Sequence, residues 1–163
     1  MGFTAAGITT STVTTDQQAP LGFVLTVPNT ATTGDSGYGM HEWVYVKTSE
    51  ALGKGEVGCR AIAAISAPYT VAQGDNTTTR AAAVGVAQHD IASGSYGFIL
   101  RSGVGTVLAD GSVTQGVDIM PANAGKVTDL TGTAEHKVIG QAFATDAGTG
   151  ATDFVLAAIS CGV

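Results

Sequence analysis

The sequence predicts an all-β fold: one β-sandwich or β-barrel domain with an extended N-terminal arm and little helix. Three observations carry that reading. Short apolar runs recur at regular intervals between turns rich in Gly, Ser, Asn and Asp. Strand-forming residues alternate within the runs. No segment holds a 3.6-residue apolar period with caps at both ends.

The elements follow in chain order. Residues 1–20 are rich in Thr, Ala, Gly and Ser, and Phe3, Ile8 and Val13 are their sizeable apolar side chains. Such a stretch cannot build a core element, so it reads as an arm held by contacts with the rest of the fold or with a neighbour. Residues 21–163 form the β-rich domain. Residues 21–27 (LGFVLTV) make an apolar run stopped by Pro28-Asn29, and a polar loop follows. Residues 42–47 (EWVYVK) place Trp43, Tyr45 and Lys47 on one face and Val44 and Val46 on the other. An apolar run resumes at Glu56 and breaks at Pro68; residues 73–80 read as a polar loop. Short helical turns are expected around residues 49–52 and 78–83.

Residues 83–107 are the organising stretch. Two β-rich runs flank the turn Ala92-Ser93-Gly94-Ser95, a hairpin-like unit. A related pattern returns near the C-terminus. Val84-Gly85 maps onto Ile139-Gly140, 55 residues on, and Phe98-Ile99 maps onto Phe154-Val155, 56 residues on. The chain therefore holds either two similar β units or the strand-turn-strand recurrence common to β proteins. Between them, residues 116–121 read as a further short strand, residues 126–130 and 135–138 lead into the C-terminal unit, and residues 154–159 finish the domain.

Composition narrows the function. The 163 residues suit one domain with a core of its own. Charged residues are 12% of the chain, about half the usual share, so the surface is polar but largely uncharged. Such a surface suits broad contacts with other protein. Net charge is −6 with seven scattered basic residues, which argues against nucleic acid as a partner. The apolar runs are far too short to span a bilayer as helices. The N-terminal residues lack the basic and apolar regions of a secretory signal, and Ala6 breaks a myristoylation match, so cytoplasmic synthesis is expected. Cys59 and Cys161 both lie in or beside apolar runs, where buried thiols are the expectation and one bridge the alternative.

No constellation for chemistry emerges. His41, His89 and His136 have no metal-ligand spacing to one another or to a Cys, and no catalytic, metal or cofactor motif is present. The chain is expected not to be an enzyme and to need no cofactor. Trp43 and Tyr45 are the aromatic pair that could form a stacking platform or an interface.

The order of several motifs resembles a known family. Glu42-Trp43-Val44-Tyr45-Val46 is followed by Ala51-Leu52-Gly53-Lys54-Gly55-Glu56-Val57. Then come Val84-Gly85-Val86-Ala87, Ile91-Ala92-Ser93-Gly94-Ser95-Tyr96-Gly97-Phe98-Ile99, Ser102-Gly103 and Val138-Ile139-Gly140-Gln141-Ala142. Over about residues 40–160 this is similar to the capsid decoration (cement) proteins of tailed bacteriophages. The resemblance implies a structural virion protein on the capsid exterior that stabilises capsomer junctions. It implies the major capsid protein as partner and self-association as a homotrimer. Phe3, Ile8, Val13, Trp43 and Tyr45 are the candidate assembly contacts. Another virion component, a head fibre base or tail protein, and a carbohydrate- or host-surface-binding module are the alternatives.

Overall fold

The structure is a computed structural model that describes residues 8–29, 39–60, 66–75, 82–130, 138–146 and 154–161. Among the described residues, ten strands form one hydrogen-bonded system: β1 (Val24–Pro28), β2 (Met40–Thr48), β3 (Val57–Arg60), β4 (Thr70–Gln73), β5 (Ala82–Val86), β6 (Tyr96–Leu108), β7 (Asp118–Pro121), β8 (Val127–Asp129), β9 (Gly140–Ala142) and β10 (Phe154–Ser160). The fold is all-β, and the choice between sandwich and barrel falls to the barrel. Among the described residues the helical content is one 3-10 turn, Asn123–Gly125. The turn expected at residues 49–52 is instead bridged backbone, with Leu52 paired to Ile91. The turn expected at 78–83 ends in β5, its earlier part lying outside the described residues.

Strands β2, β4, β3, β5 and β6 close on themselves, because β6 returns to pair with β2. All contacts in this first ring are antiparallel except β2 with β4. A second circuit repeats the plan. It runs from the second half of β6 through β8, β7, β9 and β10 and back to β6; its parallel contact is the bridge of Ala109 with Val127. The thirteen-residue β6 serves both, pairing with β2 through Ser102 and with β10 from Ser102 onward.

The two circuits agree residue by residue. Tyr45 opposite Phe98 in the first corresponds to Thr106 opposite Leu156 in the second. Val57 opposite Val86 corresponds to Asp118 opposite Gln141. Cys59 opposite Ala72 corresponds to Met120 opposite Thr128. The closing bonds match too: Ser49 N–H donates to Val71 O at 2.8 Å, and Asp110 N–H to Val127 O at 3.0 Å. Gly55 and Gly116 hold the same turn, at φ 83° and 80°, where a side chain would be strained.

The sequence reading of two similar β units is thereby a property of the fold. Its alignment of Gly85 with Gly140 stands. Its alignment of Phe98 with Phe154 is two residues out, since the register sets Phe98 against Leu156 and Tyr96 against Phe154. A slip of two leaves every side chain on its original face, so alternation could not reveal it. β4 falls between the expected elements, in four residues after Pro68.

Each ring has an interior. Val44, Val46, Leu52, Val71, Val84, Ala87, Ile91 and Ile99 fill the first. Their counterparts Val107, Val113, Val127, Ile139, Ala142 and Ala157 lie in the larger cluster, together with Trp43, Tyr45, Phe98 and Leu100 from the outside of the first ring. The second interior is thus continuous with the first ring's outer surface.

Candidate assembly interface

The residues that could do chemistry are dispersed or shielded. His41 lies with Nε2 2.8 Å from the Val104 carbonyl oxygen and edge-on to Trp43. Burial lowers the pKa of His89, and neighbouring Asp90 opposes that shift. Cys59 and Cys161 are free, buried thiols, each pushed up to about 12, chiefly by desolvation. At neutral pH both are un-ionised and therefore poor nucleophiles and poor metal ligands. Among the described residues no group of three His, Cys, Asp or Glu could hold a metal ion. A groove of about 500 Å³ lined by Asp110, Met120, Asn123, Lys126 and Thr128 joins β7, β8 and the 3-10 turn.

The surface is more informative. In the first ring, the outer face of β2 and β6 carries Trp43, Tyr45, Phe98 and Leu100, and Tyr45 and Phe98 are 1% and 0% exposed. The covering layer is the chain's own N-terminal segment. Thr14 bridges to Tyr96, and Gln18 N–H donates to the Tyr45 hydroxyl at 3.0 Å. Ala19 is buried, Phe23 meets Phe98 edge-on at 6.4 Å, and Ile8, Leu21 and Leu25 pack on the same cluster. Gly22 N–H and the Phe23 carbonyl extend the β1 pairing along β2 to Tyr45.

These positions revise the sequence-based site. Trp43 and Tyr45 are core residues beneath the N-terminal segment, so neither presents a face to a partner, and a stacking platform built on them is ruled out. Their alternation with Val44 and Val46 was legible, but which face is covered, and by what, depends on residues some 20–35 positions earlier. Ile8 is half-buried against the same cluster, and Val13 is 36% exposed. Phe3 lies outside the described residues.

The equivalent outer face of the second ring has a different exposure. Its residues are Val104, Thr106 and Leu108 on β6, opposite Ala158, Leu156 and Phe154 on β10. Phe143 joins them, its N–H donating to Leu156 O at 2.8 Å. Phe154 is 54% exposed and Phe143 40%, in contrast to the buried first face. Lys54 stands at the rim, its Nζ 5.8 Å from the Phe154 ring centre. Two further exposed apolar side chains, Val24 and Met40, lie at opposite ends of the β1–β2 pair. Sequence reading aligned Phe154 with Phe98, which is fully buried. The counterpart of Phe154 in the first ring is instead Tyr96, which is itself only half-buried.

Comparison with known proteins adds little to this geometry. No family model matches the chain, and no curated protein matches it. Among solved structures, the chain is similar to the N base of head fiber gp8.5 of bacteriophage phi29. That likeness has 12% identity and a TM-score of 0.49, and covers 74% of this chain and 94% of that one.

Proposed function

We propose that this protein is a structural component of a tailed-phage virion, bound to the capsid exterior as a decoration protein that bridges capsomers. Its partners in this reading are the major shell protein and neighbouring copies of itself. The observation that carries it is the open outer face of the second ring, where Phe143 and Phe154 stand exposed beside Thr106 and Gln141, on a body whose equivalent first face is sealed. A rigid β scaffold with one such face is suited to docking on protein. The motif order along residues 42–57, 84–103 and 138–142 supports the reading from the side of sequence. Those motifs fall on β2, on the turn into β3, on β5 and β6, and on β9, which together define the rings.

The reading needs no chemistry. Many weak contacts repeated over a symmetric shell add up to firm attachment without a single strong site. A head fibre base is the second member of the same class, and copy number separates the two. Purified particles would be quantified for this protein against the major shell protein. A ratio near one to one, or a few hundred copies per particle, is the result expected of decoration. A few dozen copies would favour the fibre, and absence from particles would overturn both.

A further inference from the structure

The two rings share a backbone plan but not an equal independence. The first ring fills its interior with its own residues, from Val44 to Ile99, and these form a cluster by themselves. The second ring does not. Ile139, Ala142 and Ala157 of its interior belong to one cluster with Trp43, Tyr45, Phe98 and Leu100, the outer face of the first ring. The approach is close, since a Cβ on Gly105 would lie 2.5 Å from Leu100 Cδ2 and 3.0 Å from Ile159 Cδ1. Backbone bonds tie the second ring to the same body. Leu108 N–H donates to the Gly55 carbonyl at 2.8 Å, and Gly125 N–H to the Gly74 carbonyl at 2.9 Å.

Opening therefore has different consequences on the two sides. With the second ring open, the first keeps its interior, and Tyr45 and Phe98 stay under the N-terminal segment through Gln18 and Phe23. With the first ring open, the second loses the side chains that close one side of its interior. The second ring also has less to hold it. The position of Ile91 is taken by Asp146, a buried acidic side chain, so less apolar surface leaves water there. Phe143 and Phe154 on its outer face stay exposed.

We infer that the second ring opens as a unit while the first stays closed, and that the first does not open without the second. The first ring is the scaffold on which the second is folded, and cooperative units of this kind open separately within one domain. The ring that carries Phe143 and Phe154 is thus the adaptable half of the molecule. The inference goes beyond attachment to a shell and holds with or without one.

The fold supplies the control for the test, because equivalent hydrogen bonds occur in both rings. Ala142 N–H donates to Val117 O at 3.1 Å and Asp146 N–H to Val113 O at 2.8 Å. Their counterparts are Ala87 N–H to Glu56 O at 2.9 Å and Ile91 N–H to Leu52 O at 2.8 Å. Amide hydrogen exchange of the full chain, followed by NMR and corrected for neighbouring side chains, compares the pairs. Ala142 and Asp146 are expected to exchange about tenfold or more faster than Ala87 and Ile91. Two mild interior variants then establish the order. Every route to an open first ring passes through an open second ring, so Ile139→Val should speed exchange in both rings by one common factor of about two to ten. Ile99→Val weakens a ring that is still closed when the second opens, so only Ala87 and Ile91 should speed up. Equal exchange within the pairs, faster exchange in the first ring, Ile99→Val speeding both rings, or Ile139→Val speeding the second alone would overturn the inference.

Discussion

The two rings follow one backbone plan with different side chains, and the differences compensate. In the first ring Gly58 lies beneath Ile99: a Cβ on Gly58 would come within 3.2 Å of the Ile99 and Leu52 side chains. In the second, Ile119 takes the place of Gly58 and Ala157 that of Ile99. Gly97 similarly sits 3.2 Å from Ile91 when given a Cβ; its counterpart is Val155, and the position of Ile91 is taken by Asp146. Bulk has moved from one wall of the barrel to the other. An interior must be filled to near-crystalline density, but the fold does not dictate which strand supplies the volume. This is why a repeat visible in every hydrogen bond is so faint in sequence.

Where the backbone itself leaves no room, the residue is the same in both rings. A Cβ on Gly85 would lie 2.8 Å from the Leu100 carbonyl oxygen, and one on Gly140 would fall on the Ala158 carbonyl. Gly140→Val is therefore expected to have the largest effect, at least 3–4 kcal/mol by urea denaturation and enough to prevent folding in many conditions. A variant that folds within 1 kcal/mol of wild type, on the scale of a tolerated swap, would break the equivalence of the two glycines.

The exchange of bulk can be tested directly. Ile99→Ala should cost about 2–5 kcal/mol through the cavity it leaves. Gly58→Ile should cost about 1–3 kcal/mol through crowding. Together they import the second ring's solution into the first, so the double variant should be more stable than the sum of the two losses by about 1 kcal/mol or more. Simple additivity would show that the pairing of these positions is coincidental.

The N-terminal cover should contribute less at any single point. Tyr45→Phe removes the hydroxyl that accepts from Gln18 N–H and is expected to cost about 0.5–1.5 kcal/mol. Loosening should appear as faster amide exchange in residues 14–25, with the second ring unaffected.

Near neutrality pH has the smallest effect of all, and it acts only toward the two extremes. Both thiols titrate near 12 in the fold, against 9.0 for an ordinary thiol. Between these values the unfolded chain releases protons that the native state keeps, so stability should fall as pH rises from about 9 toward 12. His89 acts at the other end. Its lowered pKa means that the unfolded chain takes up the proton first, so stability should decline as pH drops below 6.5. Cys59→Ala with Cys161→Ala should flatten the alkaline limb of a melting-against-pH series and leave the acid limb unchanged.

How much of this was legible beforehand can be argued from particular residues. The strand around Trp43–Val46, the turn at Ser93-Gly94 and the strand at Phe154 follow from local alternation and turn chemistry, and each is where the pattern put it. The run of β6 straight through Ser102-Gly103 was not legible. Gly103 adopts φ 125° with His41 packed close against it, which keeps the strand continuous where composition reads as a break. The buried fate of Tyr45 and the open fate of Phe154 were equally hidden. Both are aromatic residues on alternating strands, and only the placement of the N-terminal segment tells them apart.

That contrast is also the most direct test of the account. Hydroxyl-radical footprinting would compare side-chain oxidation of Phe143 and Phe154 with that of Tyr45 and Phe98, first in dilute protein and then in its assembled state. The account predicts that Phe143 and Phe154 are oxidised readily in the dilute chain and become protected on assembly, while Tyr45 and Phe98 are protected in both. If Phe143 and Phe154 remained as reactive in the assembly as in the free chain, the second ring's outer face would not be the surface through which this protein works.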